Sequence, residues 1–376
     1  MLLNLLKTAF FPAPRTCSSG ARKPQVSTRY RCRTQGRPCV ACVTLAMAVL
    51  AGLGVFTSPA RANDSETEIG VGGIVLKPSE AIVMESEDLF ISEAIVRVKY
   101  RFRNPTDKAI TTTVAFPMPP QPRAMTQRFY DMAQKQDFSV FGFATHVDGK
   151  PVRLKMIERA MIGNRDVTQR VGELGWPLYW MDGSGYSKLF EDMDEARRKK
   201  FAAEGLVVEE EMFDFRPMPA WDLVTFFVRE QVFPANATIT VKHEYVPMTG
   251  GSVGGALHPS VRRESPEILE AYRKDYCVDD YFLSGIDRRL EQEKPGYDRF
   301  YSETWLAYVL SSGANWKGPI GEFRLVVDKG STSNLVSFCM GGVQKIAPTR
   351  FEVRKRDFTP QRDLRILIAK IHDIEE

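Results

Sequence analysis

The sequence predicts a mainly β protein, one antiparallel β-sandwich or a pair of them, with an α-helical insertion. Three observations lead to this prediction. Residues 63–158 and 223–376 contain segments that alternate apolar and polar side chains at the two-residue period of a half-buried strand. Turn-forming residues separate many of these segments. Residues 159–222 have a helical composition instead, so they interrupt the β pattern.

The first β region, residues 63–158, contains the clearest strand signal. Ile95–Arg103 alternates apolar and polar residues over nearly its whole length, which predicts a strand with one face in water. Asn104–Asp107 is a turn, and Ile110–Phe116 returns as a β-branched strand. Asp148-Gly149 lies between two alternating segments, the strongest local signal of a β-hairpin. We therefore expect an antiparallel sheet or sandwich here.

The insertion, residues 159–222, is predicted to contain helices. Asn164–Leu174 and Ser187–Glu204 have helical composition. Gly175 and Gly205 follow them, at the position just past a helix end that glycine favours.

Aromatic residues gather in this insertion, among them Trp176, Tyr179 and Trp180. Exposed aromatic rings in a groove bind sugars or apolar ligands, whereas buried rings would seal the insertion against the sandwich. The packing interpretation is favoured, and the ligand-binding hypothesis names these three residues.

The second β region, residues 223–376, is expected to pack with the first. Leu223–Phe233 and Ala237–Val246 are predicted strands, and more strands follow from Trp305 to Ile371. A helix is predicted to begin at Ser265, because serine is a good cap and Pro266 suits the first turn.

Residues 1–62 have the layout of a secretory signal peptide. They hold nine basic residues and no Asp or Glu, and the apolar stretch Val40–Phe56 precedes Ala60-Arg61-Ala62, a pattern that signal peptidase prefers. We expect cleavage near Ala62 and a periplasmic or secreted bacterial protein without a membrane span. Two alternatives stay open: the segment remains as a membrane anchor, or the true start lies downstream of Met1.

Removing this leader changes the inventory of charges and cysteines. Of the 51 Lys and Arg residues nine leave, so 42 face 47 acidic residues and the body carries about −5. We therefore expect no nucleic-acid partner, and the body shows no basic stripe. Only Cys277 and Cys339 remain, which predicts a disulfide in an oxidising compartment, two separate buried thiols being the alternative.

One segment carries a catalytic pattern. Gly250-Gly-Ser-Val-Gly254 matches G-x-S-x-G, in which Ser252 would lie on a sharp turn between a strand and a helix. The residues that follow, Gly254–Pro259, do not favour a helix, so a flexible glycine-rich loop is the preferred interpretation. The histidines lack metal-ligand spacing, and we expect no metal and no cofactor.

Several short stretches of the body are similar to one known family. They are Ile74-Val-Leu, Met84-Glu-Ser-Glu-Asp-Leu, Val96–Asn104, Val114-Ala-Phe-Pro, Val147-Asp-Gly-Lys-Pro-Val, Val241-Lys-His-Glu-Tyr and Asn315-Trp-Lys-Gly-Pro-Ile. The body thus resembles an uncharacterised family of exported bacterial proteins, domain of unknown function four-four-two-four, over most of residues 63–376. Phe102-Arg-Asn and Phe116-Pro are also similar to the N-terminal β-sandwich domain of inter-alpha-trypsin inhibitor heavy chains, which favours a sandwich.

Together these observations predict a non-catalytic exported protein that binds a small ligand or another protein of the cell envelope. The alternative is an envelope hydrolase that uses Ser252 as its nucleophile.

Overall fold

The computed structural model describes residues 65–70, 73–120, 142–163, 165–178, 192–209, 217–292 and 297–375. The predicted signal peptide and its cleavage site near Ala62 lie outside these ranges. Residues Thr57–Glu376 form one compact unit.

The strands, numbered in chain order, are β1 (Ser65–Gly70), β2 (Gly73–Lys77), β3 (Val83–Ile91), β4 (Val96–Asn104), β5 (Ile110–Pro117), β6 (Ala144–Val147), β7 (Lys150–Pro151), β8 (Lys155–Ile162), β9 (Arg165–Asp166), β10 (Val207–Glu209), β11 (Pro217–Pro219), β12 (Asp222–Phe233), β13 (Ala237–Tyr245), β14 (Thr249–Val253), β15 (Tyr297–Tyr308), β16 (Ile320–Asp328), β17 (Leu335–Phe338), β18 (Gln344–Lys345), β19 (Arg350–Phe358) and β20 (Leu364–Glu375). The helices are α1 (Thr168–Glu173), α2 (Glu195–Ala203), α3 (Pro259–Glu264), α4 (Pro266–Tyr276) and α5 (Asp280–Leu290), with a 3₁₀ helix at Ser311–Asn315.

The strands form three larger sheets and one small one. An eight-stranded sheet has the order β18-β19-β16-β3-β4-β13-β6-β7, and a six-stranded sheet the order β2-β1-β5-β12-β8-β9. A four-stranded sheet has the order β14-β15-β20-β17, and β10 pairs with β11. Among the strand pairs of the described ranges, only β3 with β16 is parallel. Strands from both predicted β regions share the eight-stranded sheet.

One large core joins these sheets. Inward side chains of the eight-stranded sheet, such as Val98 and Leu325, belong to the same buried cluster as Phe116 and Phe227 of the six-stranded sheet and Ile366 of the four-stranded sheet. Sheets that bury one face against each other in this way form a sandwich. The predicted mainly β fold, built of antiparallel sheets, is confirmed.

Local signals in the sequence mark several elements correctly. Asp148 and Gly149 connect β6 to β7 and have φ of 48° and 80°, the left-handed conformations that a tight hairpin requires. Gly175 and Gly205 follow α1 and the α2 C-cap region, each with φ of 67°. Helix α4 begins at Pro266 after Ser265, although the Ser265 side chain makes no capping hydrogen bond.

The described part of the insertion contains α1 and α2 together with the end of β8 and strands β9 to β11. It has a buried cluster of its own, which includes Val171, Trp176, Phe201 and Trp221. A third cluster lies where α4 and α5 cover the four-stranded sheet, with Phe282 and Ile286 packed against Tyr301 and Leu367. Within the described ranges, no helix combines the length and the hydropathy needed to span a membrane.

Candidate functional site

Of the three predicted ligand-binding aromatics, one lies in the described part of the chain. Trp176 is 6% exposed, its ring centroid lies 4.7 Å from that of Phe201, and it stacks at 6.2 Å on Trp221. Tyr179 and Trp180 lie outside the described residues. Trp176 thus packs inside the insertion, and ligand binding by the three aromatics stays a prediction.

Ser252 lies inside a paired strand. It is opposite Glu303 in the ladder between β14 and β15, whereas a nucleophile elbow places the serine on the turn between strand and helix. The expectation that no helix follows is wrong, because His258 caps α3 and Pro259 begins it, but Gly254 and Gly255 separate this helix from the strand. The geometry of an elbow is therefore not present at Ser252.

Three histidines have partners other than Ser252. His258 Nδ1 lies 2.7 Å from Ser260 Oγ, and His372 Nε2 lies 2.7 Å from Ser302 Oγ. His243 is buried and bonds to Thr145 at 2.8 Å. In the described ranges, no group of three or more His, Cys, Asp or Glu residues could hold a metal ion.

The predicted cysteine pair is a disulfide. Cys277 follows the end of α4 and Cys339 follows β17, with their Cα atoms 5.0 Å apart. The bond therefore ties the helical layer to an edge of the four-stranded sheet.

A different site emerges on the outer face of the eight-stranded sheet, beginning with β4. Burial alternates strictly along this strand, so its odd-numbered residues point away from the core. All four outward side chains between its ends are cationic: Arg97, Lys99, Arg101 and Arg103. The expectation that the body has no basic stripe is wrong for this strand.

Strand register extends this stripe across the sheet. On one side, Lys99 lies opposite Lys242 of β13, and Lys242 lies opposite His146 of β6. On the other side, Lys99 lies opposite Asp88 of β3, which pairs with Arg324 of β16. Arg354 of β19 lies opposite Arg324. Side chains at such paired positions share one face of the sheet, so a transverse row of charged groups crosses six strands.

Two grooves lie along this row. The first has a volume of about 530 Å³ and is lined by six cationic and three acidic residues. The second has a volume of about 390 Å³ and is lined by four cationic residues, two acidic residues and two histidines. Asp88, Lys99 and Arg324 line both, so the grooves adjoin. We call them together the cationic groove.

Ion pairs hold most of the arginines in place. Arg324 donates to Glu352 at 2.8 Å and to Asp88 at 2.9 Å, and Arg354 makes two hydrogen bonds of 2.9 Å to Glu352. The hydrogen bonds from Arg354 and Arg324 lower the pKa of Glu352, so this carboxylate stays charged. Arg97 likewise donates to Glu244 at 2.6 Å. These guanidinium groups are held in fixed orientations because each is hydrogen-bonded to a carboxylate.

Two lysines of the groove, Lys99 and Lys242, are not anchored in this way. Within the described ranges, neither Lys99 nor Lys242 has a carboxylate within ion-pair distance, and both are exposed. Arg356, in the first groove, also lacks such a partner there. Directly opposed like charges destabilise a strand pair, so the pairing of Lys99 with Lys242 lowers stability. Lys99 has Asp88 opposite it on β3, whereas Lys242 has only Lys99 and His146 opposite it on its two neighbouring strands.

Sequence reasoning missed the cationic groove because charge was summed over the whole body. The signal that reveals it is the spacing of Arg97, Lys99, Arg101 and Arg103, which places four cations on one face of a single strand.

Comparisons with known proteins identify a family for this chain. The family model described as Domain of unknown function (DUF4424) matches residues 62–367. None of the curated proteins matches the chain. Among solved structures, the chain is similar to one from Legionella pneumophila subsp. pneumophila str. Philadelphia 1, titled "putative nutrient binding protein", at 15% identity and a TM-score of 0.36, covering 82% of this chain and 71% of that one. This score is too low to support an argument about fold or ligand. The likeness to inter-alpha-trypsin inhibitor heavy chains is not shown by these comparisons.

Proposed function

The chain belongs to the family described as Domain of unknown function (DUF4424), and from that premise we propose that it is a non-catalytic binding module, exported to the cell envelope, whose cationic groove binds negatively charged ligands. The observation that carries the proposal is a set of exposed cations, Lys99, Lys242 and Arg356, in a groove on a body of net negative charge. Among the described residues, none of the three has a carboxylate within ion-pair distance.

The electrostatics of the groove favour anions over neutral ligands. Cations outnumber acids by six to three in the first groove and by four to two in the second. An excess of one sign of charge in a cleft raises the local concentration of ligands of the opposite sign. Because both grooves are open, the ligand has room to be extended.

Export is part of the same proposal. The leader with its small-x-small site and the Cys277–Cys339 disulfide both fit an oxidising compartment outside the cytoplasm. N-terminal sequencing of the protein from an envelope fraction tests this, and we expect a mature start just after Ala62. An intact leader on cytoplasmic protein contradicts it.

Binding is tested by isothermal titration calorimetry with two matched peptides, hexaglutamate and hexalysine, at low ionic strength. We expect hexaglutamate to bind, hexalysine not to bind, and added salt to weaken the binding, since surface electrostatic interactions are screened. Arg356→Gln removes a cation without breaking a described ion pair and should weaken binding. Lys155→Gln, on an exposed position of β8 in another sheet, is the control and should not. Equal binding of both peptides, or no effect of Arg356→Gln, refutes the proposal.

A further inference from the structure

In the second groove, both lysines and one of the two histidines are neighbours on the face of the sheet. Lys99, Lys242 and His146 lie side by side on β4, β13 and β6, directly opposite one another in the ladder. All three line the second groove. Neighbouring side chains on such strands have Cβ atoms about 4.5–5.5 Å apart, so the two flexible lysine side chains are close enough to contact one bound group.

The carboxylates of this groove are already engaged by arginines. Asp88 accepts from Arg324 at 2.9 Å, and Glu244 accepts from Arg97 at 2.6 Å. Four cationic residues and two acidic residues line the groove, so two positive charges are left over, and the geometry places them on Lys99 and Lys242. The remaining walls include the aromatic Phe90, against which the Arg97 guanidinium lies at 6.0 Å.

The chemistry of this arrangement selects a doubly charged group. A carboxylate carries one charge in a plane and suits the fork of an arginine, but the arginines here are occupied. A phosphate monoester carries about −1.5 to −2 charges at pH 7 and three strong acceptor oxygens. Two compact ammonium groups with an adjacent imidazole nitrogen match that charge and number of acceptors.

Resting on the proposed function, we infer that Lys99, Lys242 and His146 form a subsite for a phosphate monoester group carried by the ligand. The same chemistry serves a phosphorylated soluble compound and a lipid phosphate headgroup, and the experiment separates these two sources.

The test uses methyl phosphate and dimethyl phosphate as calorimetric probes of the full protein. They differ in one methyl group and one charge. We expect methyl phosphate to bind about tenfold more tightly, and Lys99→Gln and Lys242→Gln each to weaken it about tenfold, the equivalent of about 1.4 kcal/mol. Lys155→Gln should leave the affinity unchanged. Equal affinity for the two probes, or unchanged affinity in both lysine variants, overturns the inference.

The melting temperature separates a binding role from a structural one. Lys242→Gln removes the like-charge repulsion with Lys99, so without ligand this variant should melt at the same or a higher temperature than the wild type while losing the phosphate-induced rise. A Lys242→Gln variant that melts lower without ligand contradicts the reasoning.

Vesicle binding and a comparison with hexaglutamate complete the test. Vesicles of phosphatidylcholine with phosphatidic acid bind more tightly than methyl phosphate if a lipid is the source, and no more tightly if a soluble compound is. If hexaglutamate binds and methyl phosphate does not, the phosphate subsite is refuted while the proposed function stands. If neither binds, both are refuted.

Discussion

Reducing the Cys277–Cys339 disulfide should destabilise the protein without unfolding it. The bond closes a loop across a sequence separation of 62 residues, and in the chain-entropy model the lost restraint on the unfolded chain amounts to about 4 kcal/mol. In the folded state other contacts also hold the end of α4 against the four-stranded sheet. Ser337 Oγ donates to the Tyr276 carbonyl at 2.9 Å, and Arg365 lies 2.6 Å from Asp275. The native sheets therefore persist, and the loss arises mainly in the unfolded state.

Urea unfolding of the oxidised protein, the reduced protein and the double variant Cys277→Ser/Cys339→Ser measures this directly. The reduced protein and the double variant should agree with each other and lie about 4 kcal/mol below the oxidised protein. Near-ultraviolet circular dichroism of the reduced protein should match that of the oxidised form. A difference under about 1 kcal/mol, or loss of the native spectrum on reduction, refutes the reasoning.

Two other predictions concern the buried Glu303 and the half-buried Tyr276. Glu303 is 3% exposed and accepts four hydrogen bonds of 2.6–3.2 Å, from Leu257 N, Tyr301 Oη, Tyr272 Oη and Trp305 Nε1. Glu303→Gln puts an amide donor among these donors, so it should lower the free energy of unfolding by about 2–4 kcal/mol in urea titrations. A loss below about 0.5 kcal/mol contradicts this prediction. Burial raises the pKa of Tyr276 to about 12, whereas a tyrosine in the unfolded chain ionises near pH 10. The stability that depends on the neutral form of Tyr276 is therefore present below about pH 10 and is lost as the pH rises to about 12. Tyr276→Phe should flatten that decline in unfolding free energy, and an unchanged slope counts against the assignment.

The fold was largely predictable because its signals are local. The alternation of β4, the Asp148-Gly149 turn and the Pro266 helix start each depend on a few adjacent residues. The parallel pairing of β3 with β16 was not predictable, because it joins segments far apart in sequence that no local pattern connects.

The site was predictable only in part for the same reason. The four cations of β4 could be read from one segment, but Asp88, Arg324 and Arg354 join them only through the register of three other strands. The Cys277–Cys339 pair was predictable by elimination once the leader's cysteines were set aside. The helix after Ser252 was missed because the glycines before Pro259 mask its start.

Two neighbouring cross-strand pairs between β4 and β13 differ in charge, and the difference bears on the proposed function. At one position Arg97 lies opposite Glu244, with opposite charges 2.6 Å apart, the arrangement that stabilises a strand pair. Two residues along each strand, on the same face, Lys99 lies opposite Lys242, the arrangement that destabilises one. A glutamate at position 242 would place an opposite charge across from Lys99, as Glu244 does for Arg97. In the proposed complex, a ligand anion between the two lysines would offset their repulsion, so an unfavourable pairing in the free protein would become a favourable contact.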